Sequence, residues 1–343
     1  DLQDALAAAE ADAEIWVAEG TYTPTSDGDR TVSFQMENGV AIYGGFAGTE
    51  TNRADRDWDV HETILSGDLN ADDGPDFVNN DENSYHVFYH PLGTGLDTTA
   101  ILDGFTISGG NADGEFPHIH GAGMYNSSSS PTLNNCTFER NATIAGGGFG
   151  GGIYNEDSSP VVTNCAFRAN SGHFGGGVHN NASVPVMTNC TFEDNSAYYG
   201  GGIYNEYSSP ALTNCSLSGN SAGRGGGIYN DHSFPTLTSC SFSGNLADAH
   251  GGGIYNVYNS SPMLTHCTFA GNSAVLSGGG IYNNGSSMVV ANCILAGNSA
   301  THGGGMFNNG SSLVLTNCTF FGNSADEYYG GAIYTGDDPS PVM

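Results

Sequence analysis

Eight cysteines, Cys136, Cys165, Cys190, Cys215, Cys240, Cys267, Cys293 and Cys318, recur at intervals of 29, 25, 25, 25, 27, 26 and 25 residues. Each sits in one frame: a Gly-rich start, an aliphatic residue, an aromatic and Asn, a polar turn, an aliphatic residue, Asn-Cys-x-Phe, then Gly-Asn-Ser-Ala. So constant a period restricts the chain to a stacked repeat, in which each unit buries its apolar face only against its neighbours. One elongated domain is expected, although 343 residues would otherwise suggest two.

The unit 201–222, GGIYNEYSSPALTNCSLSGNSA, shows what is stacked. Leucine-rich horseshoes need several leucines and a helical piece per unit, whereas Gly, Ser and Asn here break helices. Alternation places Ile203 inward and Tyr204 outward, Leu212 inward and Thr213 outward, then Cys215 and Leu217 inward around Ser216. Leu212 and Cys215 are three apart, so the alternation slips at Asn214, a residue that tolerates the left-handed bend required. Three short strands and three bends make one coil of a parallel β-helix of about 25 residues per turn. With coils about 4.8 Å apart, equivalent residues stack into ladders.

Phe138-Glu-Arg-Asn141, Phe192-Glu-Asp-Asn195, Phe242-Ser-Gly-Asn245, Phe320-Phe-Gly-Asn323 and Gly330-Gly-Ala-Ile333 resemble the FxxN and GGAI repeats of polymorphic outer membrane proteins. The resemblance covers residues 121–334, with Leu217 and Leu295 in place of Phe and most units reading GGGI. It implies a pectin-lyase-like, right-handed, all-β parallel solenoid and a bacterial surface setting. Residues 1–120 read as a cap and irregular coils of the same continuous solenoid, and 121–343 as its regular repeats. Phe105, in Asp103-Gly-Phe-Thr-Ile-Ser, falls in the cysteine column, and strand-like pieces precede it at 15–22, 40–46, 63–65 and 86–89. The segment 2–11 is the one convincing helix, with Leu2, Ala5, Leu6 and Ala9 on one face, placed to cap the first coil.

Charge excludes several functions. Six arginines and no lysine face 36 acids, for a net charge of −30 that repels nucleic acid and anionic membrane. No apolar run reaches membrane-spanning length. Of the acids, 24 precede residue 117, leaving the repeats a neutral surface of Ser, Thr, Asn and Gly that suits an extracellular or cell-surface protein.

Four features compete as sites. The cysteine column reads as buried free thiols, with disulfides between coils as the alternative. The Asn columns, such as Asn155/Asn205/Asn230, Asn164/Asn189/Asn214 and Asn170/Asn195/Asn220, read as stacked amides. Tyr125, Tyr154, Tyr204, Tyr229, Tyr255, Tyr282 and Tyr334, with His179 and Phe307, form an outward column. It is either an open stripe for sugar or protein, or rings that stack on one another and stabilise the sheet. Asp68, Asn70, Asp72, Asp73 and Asp76 place oxygen ligands at near-alternate positions, as a calcium loop does, although Gly74 comes one place late for an EF-hand; a solvated acidic turn is the alternative.

The implied family includes lyases and hydrolases that act on acidic sugars through basic residues, calcium or grouped aspartates. No such constellation is visible: Arg140, Arg168 and Arg224 are scattered, and the pairs Asp72-Asp73 and Asp337-Asp338 are only sequence neighbours. The expected function is therefore a noncatalytic structural or adhesive rod, one that self-assembles or meets a surface glycan or protein. A polysaccharide-binding or polysaccharide-degrading protein is the alternative.

Overall fold

The computed structural model describes residues 2–144, 146–326 and 329–336; Asp337 and Asp338 lie outside them. The chain is an all-β parallel solenoid preceded by one short helix, Leu2–Ala8. Its strands form four sheets of 11, 11, 9 and 10 strands, each pairing with the equivalent strand of the next coil. In one coil these are Ile203–Glu206, Ala211–Thr213, Ser216–Ser218 and Ser221–Arg224. The fourth, Ser221–Arg224, departs from the three expected strands. Its Ser-Ala start pairs Ser196 with Ser221 and Ala197 with Ala222, a ladder that Gly-rich surroundings hid from period-two reading.

Inside, alternation holds as read: Ile203, Leu212, Cys215 and Leu217 are buried in one core that runs the length of the stack. Phe138 stacks on Phe167 and Phe167 on Phe192, with centroids 5.2 and 4.8 Å apart. The bend at Asn214 has the expected left-handed backbone, φ +54°. All eight cysteines are free, seven of them buried. Their thiols donate to backbone carbonyls, as Cys190 does to Val162 of the preceding coil. Phe105 is buried in the same core one coil before Cys136. Leu2 and Leu6 dock the helix onto the first coil, whose strand Glu14–Ala18 is otherwise the sheet edge.

Polar ladders close the corners. Asn195 Oδ1 accepts from the side chain and backbone N–H of Asn170, while Asn195 Nδ2 donates to Phe167 O and Asn220 Oδ1, all at 2.9–3.1 Å. The column Asn155, Asn180, Asn205 and Asn230 repeats one amide-to-amide bond per coil. A buried serine column unnoticed in the sequence runs beside it, where Ser183 N–H donates to Ser208 Oγ and Ser208 N–H to Ser233 Oγ at 3.0 Å. These bonds satisfy backbone groups that a turn buried between coils would leave without water.

Asn195→Ala should remove four buried hydrogen bonds, leaving the Asn170 backbone N–H without its acceptor, and lower stability by about 3 kcal/mol. Asn189→Gly, which keeps the left-handed bend while removing an exposed amide, should cost less than about 1 kcal/mol. Urea denaturation followed by circular dichroism separates the two.

Candidate functional site

The tyrosine column faces away from the main core, as alternation requires, but it is not an open stripe. Tyr125, Tyr154, Tyr204, Tyr229, Tyr255 and Tyr282 are buried, and Tyr334 is half-buried at the last described coil. The cover comes from the chain just before each glycine run. Phe149, Phe174, Tyr199 and His250 fold over the column, so that Tyr199 meets Tyr229 edge-on at 5.2 Å and His250 lies 4.6 Å from Tyr282. Gly200 makes the fold-back possible: its φ is +66°, and a Cβ there would stand 2.4 Å from Ile203 O. Tyr204 and Tyr229 stack at 5.0 Å and 15°. The rings therefore stabilise a second, smaller core.

Histidines enter this cover as neutral groups. His86 Nδ1 donates to Gly121 O, so its Nε2 accepts from His118 Nδ1, both at 3.0 Å. Burial pushes His86 down to about 3 and His120 to about 4. His179 takes a tyrosine's place in the column, and burial pushes it down to about 3. Its Nε2 has no hydrogen-bond partner, with Glu206 Oε2 3.9 Å away.

The acidic loop gathers a different set from the one its spacing suggests. Asp68, Asp72 and Glu82 bring carboxylate oxygens within 4.8 Å of one another. Asp76, exposed and left-handed at φ +55°, is not among the converging carboxylates, and Asn70 is exposed on the same loop. Asp73 lies against the group: its N–H donates to Asp68 Oδ2 at 3.2 Å and its Oδ2 accepts from Asn83 Nδ2 at 2.8 Å. Glu82 belongs to the next loop, beyond the reach of a spacing argument. Asp73 Oδ1, Glu82 Oε1 and Asn83 Oδ1 are buried without partners. Burial raises Asp73 and Glu82 above the usual carboxylate range. Orphaned hard oxygens in a group with surplus negative charge fit a calcium-sized cation.

A third site was missed from sequence. Trp16, on the first strand, and Trp58, in the loop 47–62, line one cleft of about 690 Å³ with Thr51, Asn52, Arg53 and Arg56. Gly45 lets the loop lie flat on the sheet, since a Cβ there would stand 2.8 Å from the Trp58 backbone. Trp16 stacks on Phe46 at 4.9 Å and 9°. Arg56 is nearly buried, paired with Asp103 at 2.8 Å and stacked against Trp58 and Tyr43. A second cleft of about 270 Å³ continues past Trp58, lined by Asp59, Glu62, Thr106, Asn135 and Arg168 among others. The only available signal was that a chain with two tryptophans spends both before residue 60.

On the regular coils Tyr207, half-buried His232 and Tyr258 stack in a row at 4.9 and 5.4 Å on a bend next to the buried column, and Tyr198, Phe234 and Phe321 are exposed as well. Among the described residues no helix is long and apolar enough to cross a membrane.

With this geometry in view, the family described as the right-handed beta helix region matches residues 76–242 and 180–341. The chain belongs to that family, and the hand implied by its GGAI and FxxN-like repeats is thereby shown. Neither curated proteins nor solved structures give a match.

Because the histidines are held neutral in the fold but protonate near 6.5 when unfolded, the unfolded chain binds more protons below that value. Stability should fall as pH drops from 6.5 to about 4, each group contributing at most about 1.4 kcal/mol per unit. His179→Tyr, which restores the ring of neighbouring coils, should flatten part of that slope in melting temperature against pH.

Proposed function

We propose that this chain is a noncatalytic, extracellular or cell-surface rod that works by adhesion. The observation that carries this reading is the division of the surface. Long Asn and Ser ladders and a continuous apolar core of Phe and Leu build a stiff column, while both tryptophans and half of the arginines are spent on the irregular N-terminal coils. A stacked solenoid grows in one dimension, each coil held to the next by several parallel strand pairs, which suits a spacer that holds a recognition end away from its base. The repeats of polymorphic outer membrane proteins, which the coils resemble, agree with a bacterial surface setting.

Degradation of polysaccharide is the second reading, favoured by Asp59, Glu62 and Arg168 gathering beyond Trp58. The two separate in one experiment. Beads coated with the chain should hold to bacterial or host cell surfaces, and soluble polysaccharides incubated with it should keep their length and gain no reducing ends. Chain shortening that Glu62→Gln abolishes would replace the adhesive reading.

Calcium at Asp68, Asp72, Asp73 and Glu82 is part of this proposal. The ion would tie the loop 67–76 to residues 82–84 and offset local repulsion. Saturating Ca²⁺ should raise stability by about 2–3 kcal/mol, read as a melting shift that a chelator reverses. Asp68→Asn with Glu82→Gln should remove the calcium response and itself stabilise the calcium-free chain. Electron microscopy with and without chelator tests assembly of the rods into filaments: separate rods under both conditions would exclude self-association as the mode of action.

A further inference from the structure

We infer that the cleft between Trp16 and Trp58 binds a neutral polysaccharide, the uncharged, hydroxyl-rich face of a glycan chain. This deepens the adhesive reading and rests on it. The two tryptophans are the only ones in the chain and stand 42 positions apart (58 − 16), yet they converge on one cleft and remain 39% and 37% exposed. Large indole rings are normally spent on burial, so two left half-open side by side form a surface made to be covered. Trp16 has Phe46 against one face. This backing fixes the ring at little further entropic cost, so an incoming pyranose can lay its C–H face on it.

The polar lining chooses between sugars. Arg53 hydrogen-bonds Glu14 and Tyr43, and Arg56 is paired with Asp103, so both guanidinium charges are already answered. What remains around the rings are the hydrogen-bonding groups of Arg53, Asn52 and Thr51, suited to hydroxyls. The loop carrying them is studded with Asp55, Asp57, Asp59 and Glu62, and the whole chain has a net charge of −30. In the tryptophan cleft a polyuronate or sulfated glycan would meet repulsion, both arginines there being paired and the exposed Arg168 lying further on beside Asp59 and Glu62, whereas an uncharged chain meets none. A cleft of about 690 Å³ lies within the usual range for ligand sites, about 300–1,000 Å³, and the groove past Trp58 lets a polymer continue.

Trp16 and Trp58 being the only tryptophans, emission excited to the red of tyrosine absorption reports on this cleft alone. The full chain is titrated with β-1,4-glucan, β-1,3-glucan, xylan and galactomannan as neutral probes, and with polygalacturonate as the polyanion. The expected result is a blue shift with at least one neutral polymer and none with polygalacturonate. Affinity electrophoresis in the same polymer should show Trp16→Ala and Trp58→Ala weakening binding by roughly tenfold or more, with Tyr207→Ala unchanged. Asn52→Arg, which crowds the cleft from an exposed loop with both rings in place, should abolish the shift even if a tryptophan variant fails to fold. The inference is overturned if no neutral polymer shifts the emission, if polygalacturonate binds as well as the neutral chains, or if affinity survives Asn52→Arg. Adhesion of coated beads that persists without any glycan response would overturn this inference and leave the adhesive rod standing.

Discussion

The cross-coil amide ladder is the interaction on which the rest depends. A parallel solenoid forces every corner to bury backbone between coils, where an unpaired N–H or C=O costs as much as a lost hydrogen bond. Asn195 answers this from one side chain, bonding the coil before and the coil after at four points. Because the same residue recurs in each coil, every amide is both donor and acceptor, and the column satisfies itself without water. The strict period in the sequence is the chemical requirement of this ladder, since a residue out of step would break bonds in two neighbours.

The same logic explains what could be read from the sequence. Fold, coil length, the inward Ile, Leu, Cys and Phe columns and the left-handed bend at Asn214 all follow from periodicity and local propensity, which act within one repeat. The roof over the tyrosines does not. Tyr199 covers Tyr229 of the following coil only because glycines reverse the chain between them, and Gly reads as freedom rather than direction. The fourth strand was hidden for the same reason, having Ser, Ala and Gly in place of alternating large residues.

The sites divide along a similar line. Asp68, Asp72 and Asp73 were legible because they are neighbours, but Glu82 arrives from another loop, and Asp76 stays outside the converging carboxylates. Trp16 and Trp58 come together only through the fold of the loop 47–62 over the sheet, with Gly45 allowing the close approach. Burial of the tyrosine column and exposure of the tryptophans thus exchange the roles that composition alone assigns to them, and the proposed recognition surface lies at the irregular end rather than on the repeats.

The irregular coils have one more consequence. A chain of near-identical phrases faces an ambiguity of threading, since any coil can pair with the next or with the one after at almost equal gain. Only unlike pieces break that degeneracy. The helix Leu2–Ala8, the pair of Arg56 with Asp103 and the 29-residue interval between Cys136 and Cys165 occur once each, and they mark where counting begins. The end that carries the tryptophans thereby also holds the unlike pieces that fix the phase of the stack, so variation there is constrained by folding whatever it binds.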